Sequence, residues 1–275
     1  MSLLSPETLT AYIAPGEVVA LHRRGWRAGV VGRHLVSCAL ADGPDKPDYV
    51  AVAAALREAV AESGPDRLQI VLSNHWVRYV VHAWRDDAED AEEQGMLARM
   101  RFTEIYGAIA EGWSIVMSDE APGRQRLVAA IDSQLLDALT GVAAQSGVTL
   151  KSVEPLLLRV ANAALRQYGQ RGGKWLAVHE AGRLTFALLD GDQWRWVRSQ
   201  RVGADWVAGF SLLLAQEVLR AGQGGDADAI VFAPLVTGVT FEARPGQLAR
   251  VLAQPSGAEG LVVPDSRFGY VQVIS

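Results

Sequence analysis

Glycine-rich segments are the first candidates for chemistry in this chain, because glycine lets backbone N–H groups approach phosphate oxygens closely. Residues 169–175 read GQRGGKW and contain a Gly-Lys pair. A P-loop needs four residues between its first glycine and that pair, then Ser or Thr, with a strand before it and a helix after it. Here Trp175 follows the lysine, and the predicted order is helix, loop, strand. We therefore interpret the segment as a helix C-cap and linker.

The potential nucleophiles and metal ligands of this chain also lack the neighbouring residues that such sites require. The single cysteine, Cys38, lies in an apolar run, which predicts a buried, inert thiol and excludes a disulfide framework. His75 and His82 have no Cys or carboxylate at ligand spacing. Ser73 and Ser211 are not in a Gly-x-Ser-x-Gly elbow. We therefore predict no catalytic residue and no metal site.

A run of acidic residues at 86–93 opens a long predicted helix at 89–110. Carboxylates in the first turns of a helix complement the positive end of its dipole. We expect the helix to pack through four apolar residues: Met96, Met100, Ile105 and Ile109. The alternative interpretation of the acidic run is a docking surface for a basic cytoplasmic tail.

Eight tryptophans are present, and four of them are candidate partner-binding residues. Trp194 and Trp196 are predicted to share one face of a strand, with Arg195 on the other. Trp76 and Trp84 flank the joint into a segment inserted between two similar units. Aromatic anchors dominate interface hot spots, but they also fill cores, so both roles remain open for each tryptophan.

Length and charge limit the class of protein. The chain has 275 residues, of which 49% are hydrophobic, which is enough for one large core or two moderate ones. Its 26 basic and 31 acidic residues form no basic stripe, so nucleic acid is a poor candidate partner. The N-terminus does not resemble a signal peptide, and no window approaches the roughly 20 apolar residues of a membrane span.

The same order of elements is predicted twice. In the first half, three short strands within residues 18–40 precede a helix capped by Asp48 and a buried strand at 68–72. The second half has strands at 174–178, 183–189 and 193–202, a helix at 205–221 and a strand at 229–232. Aligning His22 with His179 also aligns Gly25 with Gly182, at an offset of 157 residues. A repeated β-β-β-α-β order indicates a duplicated unit.

Two segments in the middle of the chain carry a family resemblance. Residues 72–84, LSNHWVRYVVHAW, form two apolar stretches around a polar joint. The strand LVAAI at 127–131, an apolar-striped helix, and GVTLKSVEP at 147–155 follow, with Pro155 expected at the first position of the next helix. Together they resemble the PilM proteins of type IV pilus assembly, their MshI relatives and the cytoplasmic part of GspL from type II secretion.

This resemblance implies an α/β fold of the duplicated ribonuclease H-like, or actin-like ATPase, type. It implies two lobes, residues 1–168 and 169–275, with a small subdomain inserted in the first lobe at about residues 75–130. Nucleotide-binding members grip phosphates with two hairpins, each offering an Asp followed by small residues.

The chain departs from that nucleotide-binding pattern at both predicted hairpins. The first, residues 20–26, reads ALHRRGW and has no carboxylate. The second, residues 178–182, reads VHEAG where nucleotide-binding relatives carry Asp-Ile-Gly, and we interpret Glu180 as an ordinary turn residue. We therefore expect no cofactor and predict that the protein is a pseudo-ATPase rather than an enzyme.

The resemblance thus predicts a non-catalytic cytoplasmic scaffold, peripheral to the inner membrane through its partners. It would link the cytoplasmic tail of an inner-membrane assembly protein to the motor ATPase of a pilus or secretion system. Two alternatives remain open: an active actin-like ATPase or small-molecule kinase with an atypical phosphate site, and a free-standing regulator that uses the same fold.

Overall fold

The computed structural model describes residues 6–25, 29–38, 48–85, 90–252 and 265–272. The described residues form two compact units. The first comprises those within Met1–Trp76, Ser133–Arg159 and Gln254–Ser275, and the second those within Val77–Asp132 and Val160–Ala253. The inserted segment is thus in the same compact unit as the second large sheet. The lobe boundaries implied by the resemblance remain a prediction.

The secondary structure alternates strands and helices along most of the described chain. Up to residue 132 the elements are β1 (Glu7–Ala14), β2 (Glu17–Arg24), β3 (Gly29–Ser37), α1 (Tyr49–Ser63), β4 (Arg67–Leu72), β5 (Arg78–His82), α2 (Ala91–Tyr106), a 3-10 helix (Gly107–Gly112), β6 (Trp113–Met117) and β7 (Arg126–Asp132). From residue 133 they are α3 (Ser133–Gln145), β8 (Thr149–Pro155), α4 (Leu156–Tyr168), β9 (Gly173–Glu180), β10 (Arg183–Asp190), β11 (Gln193–Arg201), α5 (Phe210–Ala221), β12 (Asp228–Phe232), β13 (Glu242–Arg244), β14 (Gln247–Leu248), β15 (Arg250–Val251), a 3-10 helix (Ser266–Phe268) and α6 (Gly269–Gln272).

The first unit is built on a five-stranded sheet in the order β3-β2-β1-β4-β8. β1, β2 and β3 form an antiparallel meander, and β4 and β8 run parallel to β1. The Asp48 side chain accepts a hydrogen bond from Ala51 N at 2.9 Å, which confirms it as the N-cap of α1. Pro155 is the last residue of β8, and α4 begins one residue later, so its predicted place at the first helical position is wrong.

The second unit repeats this sheet in the order β11-β10-β9-β12-β15, with the same strand directions. β1 and β9 start at residues 7 and 173, and β2 and β10 at 17 and 183, an offset of 166 residues in both cases. The predicted duplication is confirmed, but the offset of 157 is wrong. The cause is β1, which the sequence reading missed, so that the first meander was assigned one strand too late.

The core of the second unit lies between its sheet and α5. Phe210 and Leu214 on the helix pack against Trp175, Phe186 and Leu188 on the strands. The helix therefore packs on the sheet through the face that carries Phe210 and Leu214. The helix begins at Phe210 rather than at residue 205, because residues 204–209 form successive turns.

The inserted segment folds as a three-stranded antiparallel sheet in the order β5-β7-β6, with α2 packed on it. Ala98 and Phe102 of α2 bury themselves against Val128 and Ala130 of β7. Phe102 also contacts Trp113 edge to face, with ring centroids 6.1 Å apart. Within the described residues, no helix is long and apolar enough to cross a membrane.

Candidate functional site

The turn between β1 and β2 is the first hairpin tip. Gly16 occupies it with φ of 87°, a conformation that favours glycine. Ala14 ends β1, so no carboxylate stands at that strand end. Glu17, which opens β2, lies 3.3 Å from Arg267 through Oε2 and Nη1. The predicted tip at residues 20–26 is wrong, because residues up to Arg24 belong to β2.

The second hairpin tip lies where it was predicted, between β9 and β10. Glu180 is the last residue of β9 and is 1% exposed, so its interpretation as an ordinary turn residue is wrong. Gly182 in the turn has φ of 69°. In register, Glu180 lies opposite Arg183, and Arg183 lies opposite Arg201 on β11. Burial, and then the Glu180 carboxylate, raise the pKa of Tyr79 well above its usual range. The tip therefore holds a carboxylate whose neighbours are arginines and a neutral phenol.

His179 precedes that carboxylate and is a packing residue. Its ring stacks on Trp206 with centroids 4.3 Å apart, and Trp206 stacks in turn on Phe241 at 5.4 Å. Burial lowers the pKa of His179 to about 4, so the ring is neutral at pH 7. A neutral, stacked imidazole stabilises the second hairpin through packing.

Reactive groups are scarce in the described part of the chain. No group of three or more His, Cys, Asp or Glu side chains is placed to hold a metal ion there. Cys38 is half-buried, and burial followed by the Glu17 and Asp48 charges raises the pKa of its thiol to about 11. The thiol is therefore protonated at neutral pH and a poor nucleophile, although it is half-buried rather than buried as predicted.

Trp76 and Trp84, two of the four predicted partner-binding residues, are held by intramolecular contacts. Trp76 donates a hydrogen bond from Nε1 to the Ile13 carbonyl at 3.1 Å. Trp84 is half-buried, with the Arg126 guanidinium 4.9 Å from its ring centroid. They belong to different compact units. Their predicted role in partner binding remains a prediction.

Trp194 and Trp196 do not share a face of β11, contrary to the prediction. A β-bulge places Leu189 opposite Trp194 and Leu188 opposite Trp196, so that Arg195 is the extra residue. Trp196 packs with Leu188 in the core beneath α5, whereas Trp194 is buried on the other face. One inserted residue shifts the alternation, so a strict period of two fails here.

The largest difference from the sequence-based predictions is the number of apolar side chains exposed on the surface of the inserted segment. Met96 and Met100 on α2 are 54% and 59% exposed, and Ile109 and Val116 beyond it are 66% and 69% exposed. Ile105 is 47% exposed, so the four predicted packing residues all lie on the surface.

The buried face of α2 has a different composition from the predicted one. Gln94, Ala98 and Phe102, at a spacing of four residues, are buried instead. Sequence reasoning missed this face because it selected residues for hydrophobicity, while an alanine and a glutamine turn inward. The four-residue spacing that ends at Phe102 was the available signal.

The acidic start of α2 acts first as a helix cap. The Asp90 carboxylate accepts hydrogen bonds from Glu92 N at 2.8 Å and Glu93 N at 2.9 Å. Residues 86–89 of the acidic run lie outside the described residues. Asp90, Glu92 and Glu93 therefore give the N-terminal end of this apolar helix surface a negative charge.

Comparison with solved structures identifies the fold. The chain is similar to the cytoplasmic domain of EpsL, an inner-membrane component of the type II secretion system of Vibrio cholerae, at 13% identity and a TM-score of 0.58. That match covers 97% of this chain and 94% of the other. A PilM-PilN type IV pilus biogenesis complex matches at 15% identity and a TM-score of 0.52, covering 78% and 67%.

A third neighbour is a protein with an actin-like ATPase fold and unknown function from Bacteroides thetaiotaomicron VPI-5482. It matches at 9% identity and a TM-score of 0.54, covering 83% of this chain and 81% of the other. No protein-family model matches the sequence, and no curated protein does so either. The fold is therefore actin-like, of the PilM and GspL type, as the sequence resemblance predicted.

Proposed function

We propose that this protein is a non-catalytic scaffold of a type IV pilus or type II secretion assembly, cytoplasmic and held at the inner membrane by its partners. It links a membrane component to the motor ATPase. The observation that carries this proposal is the duplicated actin-like sheet whose first hairpin tip ends in Ala14, where a nucleotide-binding protein needs a carboxylate.

The comparisons support the pathway. The EpsL domain covers nearly the whole of both chains and belongs to an inner-membrane secretion component, and PilM is found in a complex with PilN. At these identities the likeness shows the fold, so the assembly role comes to this chain as part of the proposal.

The proposed partner surface is the exposed side of α2 and of the 3-10 helix that follows it. We call it the helix-2 surface, and it comprises Met96, Met100, Ile109, Glu92 and Glu93. Exposed methionines and isoleucines attract an apolar segment, and the acidic first turn selects a basic one. Its occupant in this proposal is a basic, amphipathic cytoplasmic tail of an inner-membrane protein.

This surface can be tested by titrating the protein with synthetic N-terminal tails of candidate membrane partners and measuring the heat of binding by calorimetry. We expect Met96→Ser with Met100→Ser to weaken tail binding about tenfold, because the apolar contact area is lost. The matched control is Leu212→Ser with Leu219→Ser on α5, where both leucines are exposed, and its affinity should equal that of wild type. Equal losses of affinity in the two double variants would contradict the proposal that the tail binds to the helix-2 surface.

The predicted tryptophans provide a second readout of the same titration. If Trp76, Trp84, Trp194 and Trp196 contribute to binding, their fluorescence changes on addition of the tail, and substitution of each pair by Phe removes part of that signal. Absence of tail binding together with turnover of a nucleotide would replace the scaffold with the enzyme alternative.

A further inference from the structure

One face of the first sheet carries a row of polar side chains. Thr10 on β1 donates a hydrogen bond from Oγ1 to Gln69 Oε1 on β4 at 3.3 Å. Gln69 is in turn the register partner of Ser152 on β8. Two residues beyond Ser152 on the same strand, Glu154 lies on the same face. Thr10 is buried and the other three side chains are half-buried, so the polar groups of this row need hydrogen-bond partners.

Arg159 on α4 lies against this row. Its side chain is 2% exposed, and its Nε donates to Glu154 Oε2 at 3.0 Å. Its Nη1 is buried and has no hydrogen-bond partner among the described residues, and the same holds for Ser152 Oγ. Two buried polar atoms beside one carboxylate are costly to leave unpaired, so both indicate a group that accepts hydrogen bonds there.

Arginines also lie on this face: Leu21 on β2 is the register partner of Thr10, and Arg23 is two residues further along the same strand. Arg23 on β2 is half-buried, and burial followed by the Arg159 charge lowers the pKa of its guanidinium. The described residues include no carboxylate partner for Arg23. Arg33 on β3 is the register partner of Leu21, so it lies on the same face as Arg23, and its Nε is also buried without a partner in the described part of the chain.

We infer that Arg23, Arg159 and Ser152 form a binding site for one compact oxyanion, a carboxylate or a phosphate group. The anion accepts hydrogen bonds from Arg159 Nη1 and Ser152 Oγ and relieves the repulsion between the two guanidinium groups. This inference is independent of the proposed scaffold function, because it uses only residues of the first sheet and α4.

The test is binding of inorganic phosphate and, separately, of N-acetyl-glutamate amide, each at constant ionic strength balanced with chloride. We expect wild type to bind at least one of the two ligands saturably, with a dissociation constant below about 10 mM. The ligand that binds more tightly identifies the oxyanion as a phosphate or a carboxylate. Arg23→Gln and Ser152→Ala should each weaken that binding about tenfold.

The thermal stability of the variants, measured without added anion, distinguishes a role of these residues in anion binding from a role in folding. Ser152→Ala should unfold at a temperature equal to or above that of wild type, because it removes an unpaired buried hydroxyl. Arg23→Gln should do the same, because it removes the repulsion with Arg159. Arg57→Gln, at an exposed arginine of α1, is the matched control and should leave anion affinity unchanged. Absence of saturable binding, or equal affinity in wild type and both variants, would overturn the site.

Discussion

At the scale of single residues, Trp194 and Trp196 show what the sequence could predict and what it could not. Residue type left core packing and partner binding open for both, and the structure buries Trp194 and half-buries Trp196. Their placement on opposite faces was not predicted, because it depends on the bulge at Leu188 and Leu189, which involves a register between two strands. The burial of the Glu217 carboxylate was also not predicted, because Glu217 is on α5 and its partners Trp196 and Arg198 are on β11.

Glu217 on α5 is fully buried and gives the first prediction. It accepts hydrogen bonds from Trp196 Nε1 at 3.1 Å, Arg198 Nη1 at 2.7 Å and Arg220 Nη1 at 2.5 Å. We expect Glu217→Ala to lower the free energy of unfolding by about 3 kcal/mol, because its partners lose a buried counter-charge. Chemical denaturation measures this change.

The control for Glu217 is Glu104→Ala. The Glu104 carboxylate lies 3.0 Å from Arg101, and both side chains are more than half exposed. This substitution should change the free energy of unfolding by less than about 0.5 kcal/mol. A comparable loss in both variants would show that burial does not set the strength of the Glu217 contacts.

His179 gives a prediction about pH. Its pKa is about 4 in the folded protein and 6.5 in the unfolded chain. Between these values the unfolded state binds a proton that the folded state does not, so stability is lost as pH falls from 6.5 to 4. His179→Phe keeps the stack on Trp206. It should reduce the loss of unfolding free energy on acidification by on the order of 2 kcal/mol. Denaturation of both proteins at pH 4.5 and 7 measures the difference, and identical pH profiles would refute it.

At the scale of elements, helices were easier to predict than the first strand. α1 was identified from its apolar spacing and its Asp48 cap, and α5 from its apolar spacing. β1 was missed because its sequence, ETLTAYIA, mixes threonine and alanine with few large apolar residues, and its burial comes from pairing with both β2 and β4. Pairing with strands distant in sequence is a tertiary property that local patterns do not carry.

The hairpin tip between β9 and β10 gives a prediction at this scale. Gly182 has φ of 69° and free space around its missing Cβ, so Gly182→Ala should cost about 1 kcal/mol through backbone strain alone. Gly141 lies inside α3, and the nearest atom to an added Cβ is 3.9 Å away, so Gly141→Ala should stabilise by about 0.5–1 kcal/mol. Thermal unfolding distinguishes the two, and shifts in the same direction would contradict the assigned turn.

At the scale of the whole molecule, the fold was predictable because the order of elements is repeated. Two β-β-β-α-β units constrain the strand order of two sheets, and both sheets have the same order and directions. The surfaces were less predictable, because exposure of Met96 and Met100 depends on which side of α2 the small insert sheet occupies. Residue type alone does not determine that choice.

The proposed scaffold function requires that this actin-like fold does not use a nucleotide. Isothermal titration calorimetry with ATP or ADP and Mg²⁺ at concentrations up to about 100 μM, with phosphate release followed in parallel, tests it most directly. We expect no saturable heat and no phosphate release, because the first hairpin tip offers Ala14 and Gly16 where a metal-bound phosphate needs a carboxylate. Saturable binding of either nucleotide below that concentration, with Mg²⁺ required, would contradict it.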